Sequence, residues 1–256
     1  MSTNHPEEDF PMPHWLITDL MIVTSYGLLH TVLTTKPLVA FYNNLFPSYT
    51  WNLFYSTVSV ITLLLGFHYW ESSGVYLFQL TPGSLAYHAS TFILASSLIA
   101  FFYFFKFTTS FWQWLGVKQV VLRICGQEQP AYYRVRLKGI KRYIRFPHHT
   151  ALIVLFWTHP VMTLDTLFLA VSATIYLYLG TYHQDLRGLA AIGRDWQEYR
   201  ANTALLIPGP RIIARMIRDI SSGDEGHDSP ENKTAESSVL ERPSGGAAFA
   251  SKEPAA

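Results

Sequence analysis

Four long apolar stretches restrict this chain more than anything else in it. Residues 15–34, 50–70 and 86–105 each supply about 20 mainly apolar residues, the length a helix needs to cross roughly 30 Å of hydrocarbon. The fourth, residues 150–182, holds no basic residue and is interrupted at His159, Pro160, Met162 and Thr163. Proline has no N–H to donate and turns the preceding residue away from helical geometry. The fourth stretch therefore reads as a helical hairpin, with helices over about 146–158 and 161–183; a single long helix kinked at Pro160 is the alternative reading. The expected class is all-α, a polytopic membrane helical bundle of about five transmembrane helices followed by C-terminal amphipathic helices. Charge content agrees: 14% of residues are charged, against about 25% in soluble domains.

Basic residues give the bundle a direction. None precedes Lys36 and none falls between Lys36 and Lys106; nine lie from Lys106 to Arg145 and nine more from Arg187 to Lys252. Cytoplasmic loops carry the excess of Lys and Arg, so those two segments are expected inside. With five helices the N-terminus then lies outside and the C-terminus in the cytoplasm, as in a bacterial inner membrane. Residues 1–14 are acidic and proline-bearing, unlike the basic start of a cleavable signal. Residues 185–207 and 210–220 are amphipathic and arginine-rich, a pattern that lies at membrane surfaces. The tail that follows is rich in Ser, Gly, Glu, Pro and Ala and is expected to be disordered. The organisation is an N-terminal segment 1–14, a membrane domain 15–220 and a tail 221–256. A net charge of +1 gives no reason to expect a nucleic-acid partner, and the lipid bilayer is the expected surrounding. The single cysteine, Cys125, excludes a disulfide framework and multi-cysteine metal sites.

Polar residues inside the helices fall on narrow faces. At 100° per residue, Asp19, Tyr26 and His30 lie within about 40° on the first helix, and Asp165, Ser172, Tyr176 and His183 repeat the pattern on the last. Ionisable groups in hydrocarbon are costly and turn toward the bundle interior. The stripes read either as a shared polar cavity or as interhelical hydrogen bonding. Asn52, Ser56, Ser59 and Gly66 form a small-residue face suited to helix packing. His148, His149, His159 and His183 lack the spacing of three or four that zinc pairs prefer, so no metal site is expected. Haem needs only one or two axial ligands, which keeps haem b open as an alternative cofactor on His30, His149 or His183.

Four segments, in order, resemble the integral-membrane methyltransferases that include methanethiol S-methyltransferases and, more distantly, isoprenylcysteine carboxyl methyltransferases. Leu115-Gly116-Val117-Lys118-Gln119-Val120 is similar to the family's F-G-L-R-Q-V. The run from Gly139 through Arg145, Phe146, Pro147, His148 and His149 is similar to G-L-Y-R-x-V-R-H-P-x-Y. Phe156-Trp157-Thr158-His159-Pro160-Val161-Met162-Thr163 resembles the F-W-x-x-P-x-M-T hairpin tip, and Gly193, Trp196, Tyr199 and Leu206-Ile207-Pro208 resemble the closing motif. His30-Thr31 is similar to the family's H-S element. NnrU-type membrane proteins look similar in the first two helices.

The resemblance implies S-adenosylmethionine as cofactor and a small thiol, or another lipid-soluble nucleophile, as acceptor. It places Arg145, His148, His149, Gln184, Asp185 and Tyr199 at the cofactor end, with Arg145, His149 and His183 in catalytic roles. His30, Tyr26 and Tyr176 then line the acceptor side. Departures from the pattern are specific: Phe146 stands where the family has histidine, His149 where it has tyrosine, and Gln184-Asp185 where it has an acidic pair. A relocated histidine preserves methyl transfer; otherwise the chain is a haem-binding protein of the NnrU type, or a catalytically retired subunit with a membrane-protein partner.

Overall fold

The computed structural model describes residues 13–108, 111–127 and 139–222. Apart from residues 13–14 and 221–222, the segments 1–14 and 221–256 lie outside the described residues. Ten α-helices and one two-stranded sheet are present among the described residues. Four elements are long and apolar enough to cross a membrane: α1 (His14–Val32), α3 (Trp51–His68) with the 3₁₀ turn before it, α4 (Leu85–Thr108) and α8 (Leu164–Ile192). Their outer surfaces show large apolar side chains, among them Leu28, Leu64, Phe92 and Ile99, each more than 60% exposed. Patches on that scale need a non-aqueous cover, and the protein is a multi-pass membrane helical bundle.

The hairpin differs from expectation in both arms. Its first helix, α7 (Pro147–Trp157), has 11 residues and at 1.5 Å per residue reaches about 16 Å, half of the hydrocarbon. It lies along α4, with Ser90 Oγ donating to Thr158 O at 2.8 Å. Four full-length spans plus this half-span replace the expected five. The tip is a strand, β2 (Val161–Thr163), paired antiparallel with β1 (Tyr76–Gln79) through Tyr76↔Thr163 and Gln79↔Val161. Pro160, unable to donate, ends the helix and accepts from Leu80 N.

The segment read as one amphipathic helix over 185–207 is two pieces. Its first part extends α8, whose 29 residues reach about 44 Å, roughly 14 Å more than the hydrocarbon thickness. Gly193, at φ +75° and ψ −126°, breaks the helix and starts α9 (Arg194–Asn202). The surface helix expected over 210–220 is α10 (Pro210–Ser221). The shorter helices α2 (Lys36–Leu45), α5 (Phe111–Trp114) and α6 (Val117–Ile124) complete the order.

Connectivity puts the C-terminal ends of α1, α4 and α8 and the N-terminal ends of α3 and α7 together at one end, called the mouth below. All the short connecting helices are there, with every described segment that carries Lys or Arg. At the opposite end Asp165 accepts from Ser73 N and Ser73 Oγ, and the wholly buried Asp19 accepts from Glu71 N. Both aspartates therefore serve to tie the α3–β1 loop to the bundle.

One glycine fastens the mouth. Gly116 has φ +84° and packs so closely on α3 that a Cβ would sit 2.1 Å from Leu53 N; alongside, Ser56 Oγ donates to Trp114 O at 3.0 Å. A Gly116→Ala variant is expected to lose about 1–3 kcal/mol from the backbone conformation alone, with the clash added. Thermal unfolding in detergent measures this, and Gly126→Ala, where a Cβ meets nothing within 4 Å, separates the clash from the φ cost.

Candidate active site

A large group of buried side chains gathers at the mouth. Tyr143, Ile144, Arg145, Phe146 and His148 are all buried, as are Thr181, Asp185, Tyr199, Thr203 and Leu206. The cause is a pairing of two segments far apart in sequence. Ala204 N donates to Tyr143 O at 2.8 Å, Arg145 N to Ala204 O at 2.9 Å, and Phe146 N to Leu205 O at 3.3 Å. Thr150 Oγ1 donates to Leu206 O, and Tyr199 OH to Lys141 O. Backbone groups removed from water must find partners, and here the run before α7 and the run after α9 satisfy each other.

Asp185 is the hub. Its carboxylate is 1% exposed and takes Arg145 Nε at 3.0 Å on Oδ1, Arg200 Nε at 2.9 Å on Oδ2 and the Trp196 indole N–H at 3.0 Å on Oδ1. Trp196 reaches it by lying over Gly188, where a Cβ would come within 2.5 Å of the indole ring. Arg145 Nη1 meanwhile donates to Thr203 O at 2.6 Å and Arg200 O at 3.1 Å, closing the C-terminus of α9. Carbonyls at a helix C-terminus attract cations. Burial pulls the Arg145 guanidinium down from its ordinary value and Asp185 opposes that pull. Burial also pushes the Tyr199 phenol up to about 12, so it stays a neutral donor.

Two guanidiniums face one carboxylate, so the hub keeps a net positive charge. Arg145 Nε is wholly buried against Asp185. The excess positive charge of the hub fits a further anionic group.

Next to the hub, His149 Nδ1 lies 2.7 Å from Thr181 Oγ1, and Thr181 Oγ1 donates to Leu177 O at 2.5 Å. Phe146 stacks on the His149 ring at 6.0 Å and 9°, and His148 lies 4.1 Å away on centroids. A second polar cluster sits between α1, α3 and α8. His30 Nε2 is 2.6 Å from Tyr55 OH, and His30 Nδ1 is 3.1 Å from Ser59 Oγ. Tyr26 stacks on His30 at 5.5 Å, and Tyr176 meets both rings edge-on at 6.1 Å.

The structure thus brings Arg145, Asp185 and Tyr199 into one network, sets His149 beside it, and joins His30, Tyr26 and Tyr176 in another. His183 and Gln184 are exposed on α8 and make no recorded contact with either network. His183 continues the polar stripe in angle, but it lies on the overhang beyond the point where α1 still flanks α8. Three participants escaped the sequence reading, while Trp196 was named only as part of the closing motif. Arg200 stood in a segment read as membrane-surface helix, and Tyr55 precedes Ser59 by four on the face read as packing. Thr181 carried no signal, because a threonine in an apolar run looks like any other. No group of three or more His, Cys, Asp or Glu is placed to hold a metal among the described residues.

No protein-family model matches the chain, and no solved structure does. Curated relatives do. The chain is 25% identical over 201 residues to the methanethiol S-methyltransferase of Pseudomonas deceptionensis, covering 78% of this chain and 75% of the relative. It is 25% identical over 197 residues to that of Crocosphaera subtropica, covering 75% and 74%. To that of Mycobacterium tuberculosis it is 21% identical over 204 residues, covering 78% and 81%. Similarity to these relatives therefore extends over about three quarters of the chain, and Arg145, Phe146, His148, His149 and Tyr199 of the mouth lie in the segments that carry the motifs.

Proposed function

We propose that this protein transfers a methyl group from S-adenosylmethionine to a small thiol at the membrane surface. The observation that carries the reading is the hub, a buried, net-positive pair of guanidiniums around Asp185 beside a histidine, in a chain similar to methanethiol S-methyltransferases. S-adenosylmethionine supplies an electrophilic methyl on a sulfonium. The excess positive charge suits the carboxylate of that molecule, and Arg145 and Arg200 would hold it, with Tyr199 fixing the Lys141 backbone beside them. Asp185 keeps the two guanidiniums apart and oriented. His149 stands ready to take the proton that an attacking thiol must lose, since the thiolate is the nucleophile. The cluster of His30, Tyr26, Tyr55 and Tyr176 forms the acceptor side, opening between spans where a lipid-soluble thiol arrives. Both ring nitrogens of His30 are hydrogen-bonded, which weighs against an axial bond to haem iron.

The mouth faces the cytoplasm in this reading, because the described Lys and Arg lie there. With four full spans, the start of α1 and the end of α8 fall on opposite sides only because the short α7 carries the chain from mouth to tip beside α4, as its contact with α4 supports. The membrane domain is 15–220, and α10 marks its surface. Taken around α10 at 100° per residue, Ile212, Arg215, Met216 and Asp219 form the half-buried side. Ile213, Ile217 and Ile220, 39–71% exposed, form a stripe about 120° away, and the exposed Arg211 and Arg218 form a third side. Arg215 Nη2 donates to Arg142 O and Asn202 O, and Tyr143 OH to Asp219 Oδ2, so the helix is clamped to the mouth. Nitroxides placed by cysteine substitution at Ile213, Ile217 and Ile220 in a Cys125→Ser background are expected to collide with oxygen dissolved in lipid. Those at Arg211 and Arg218 are expected to meet water-soluble relaxants instead.

The function is tested by calorimetry of the purified protein with S-adenosylmethionine, followed by transfer of a labelled methyl to methanethiol. Binding with transfer supports the reading. Binding without transfer to any thiol marks a retired enzyme, and no binding overturns the reading.

A further inference from the structure

We infer that Thr181 is a positioning residue that holds His149 in one tautomer, with the proton on Nδ1 and the lone pair on Nε2. The inference rests on the proposed methyl transfer only for its catalytic consequence; the tautomer itself follows from geometry. Thr181 is wholly buried and its hydroxyl has one proton. The 2.5 Å separation of Thr181 Oγ1 from the Leu177 carbonyl oxygen requires that proton to lie between them, because a carbonyl offers none and two lone pairs that close repel. At 2.7 Å from His149 Nδ1, Thr181 Oγ1 is therefore the acceptor, and Nδ1 carries the hydrogen. A neutral imidazole has only one, so Nε2 on the opposite edge of the ring is an acceptor. The face of the ring is held by Phe146, stacked nearly parallel at 9°. The phenylalanine at the family's histidine position thus has a use here: it supplies a flat wall for a histidine one helical turn on.

The chemistry this prepares is simple to balance. The thiol proton passes to His149 Nε2, leaving a thiolate and an imidazolium whose Nδ1–H still points at Thr181. The thiolate sulfur bonds to the methyl carbon as the bond from that carbon to the sulfonium breaks, and its electron pair returns to the donor sulfur, now a neutral thioether. His149 then releases the proton to water. A histidine in the opposite tautomer presents an N–H to the thiol and cannot begin.

The test uses the full chain in detergent with ¹⁵N-labelled histidine. Wild type and Thr181→Ser are expected to give His149 nitrogen shifts for protonated Nδ1 and bare Nε2, with the signals assigned by their loss in His149→Gln. Thr181→Val, of the same shape without the hydroxyl, is expected to give a mixture of tautomers. It is also expected to show a kcat about tenfold lower, recovering as pH rises and the thiol ionises unaided, with KM for the cofactor unchanged. Wild-type shifts for protonated Nε2, or a Thr181→Val spectrum identical to wild type, overturn the inference. If the shifts are as expected but wild type transfers no methyl, the tautomer lock stands and the proposed reaction falls. If Thr181→Val does not fold, the wild-type and Thr181→Ser spectra still decide the tautomer.

Discussion

An Asp185→Asn variant is expected to lose about 3–5 kcal/mol of stability, the cost of removing one partner from a buried ion pair, and with it all binding of S-adenosylmethionine. Asparagine keeps the size and one carbonyl, so packing is hardly touched. What goes is the charge that two guanidiniums share: Arg145, 8% exposed, and Arg200, 30% exposed, would face each other with nothing between. Arg145 also closes the C-terminus of α9, so its displacement loosens the run 203–206 after α9 as well. Thermal unfolding in detergent and calorimetry read the two losses separately. The exposed pair of Arg194 and Glu198, 88% and 66% exposed, is the control, because ion pairs in water contribute little; Glu198→Gln is expected to leave both measurements unchanged. Equal effects from the two variants would show that Asp185 is not a hub.

The second large effect is on chemistry alone. His149→Phe is expected to lower the rate of methyl transfer about 10²- to 10⁴-fold, the range general bases contribute, while cofactor affinity stays within a few-fold. The sign of the remaining pH dependence is informative. A cysteine thiol titrates at about 8.5 and a simple alkyl thiol higher, so without a base the reactive thiolate increases nearly tenfold for each pH unit through the neutral and mildly alkaline range. The variant's rate is expected to climb steeply with pH across that range, whereas the wild-type rate is flatter because His149 takes the proton. Stopped assays with labelled methyl across that range check it, and parallel profiles for variant and wild type would remove His149 from the reaction.

The division between what could be read in advance and what could not follows the physics of each signal. Span positions depend on runs of apolar residues, which a linear chain displays openly, and α1, α3 and α4 match their expected limits closely. The fourth stretch was harder, because proline marks a break without saying what comes after. A strand across from β1 and a half-length α7 depend on partners some 80 residues away. Within the site, Arg145, Asp185 and Tyr199 came from motif resemblance, and the structure joins them. Their actual partners, Arg200 and Thr203, are set by how the chain turns at Gly193, a matter of φ and ψ that no spacing reveals. His183 is a different case: helical angle continues the polar stripe to it, and the structure leaves it exposed on α8.

The pairing of the run after α9 with the run before α7 has a consequence for biogenesis. Arg145 finds its carbonyl partners 58 residues further along the chain, after α7, β2, α8 and α9 have all been made. The long helices have what they need to enter the bilayer before that point, yet the mouth has no wall on the side of residues 203–206 until synthesis has passed Leu206. Insertion and completion of the site are thus separate events in the life of the molecule. A chain truncated between Ile192 and Arg200 would hold all four spans yet leave the Arg145 guanidinium without its α9 carbonyls.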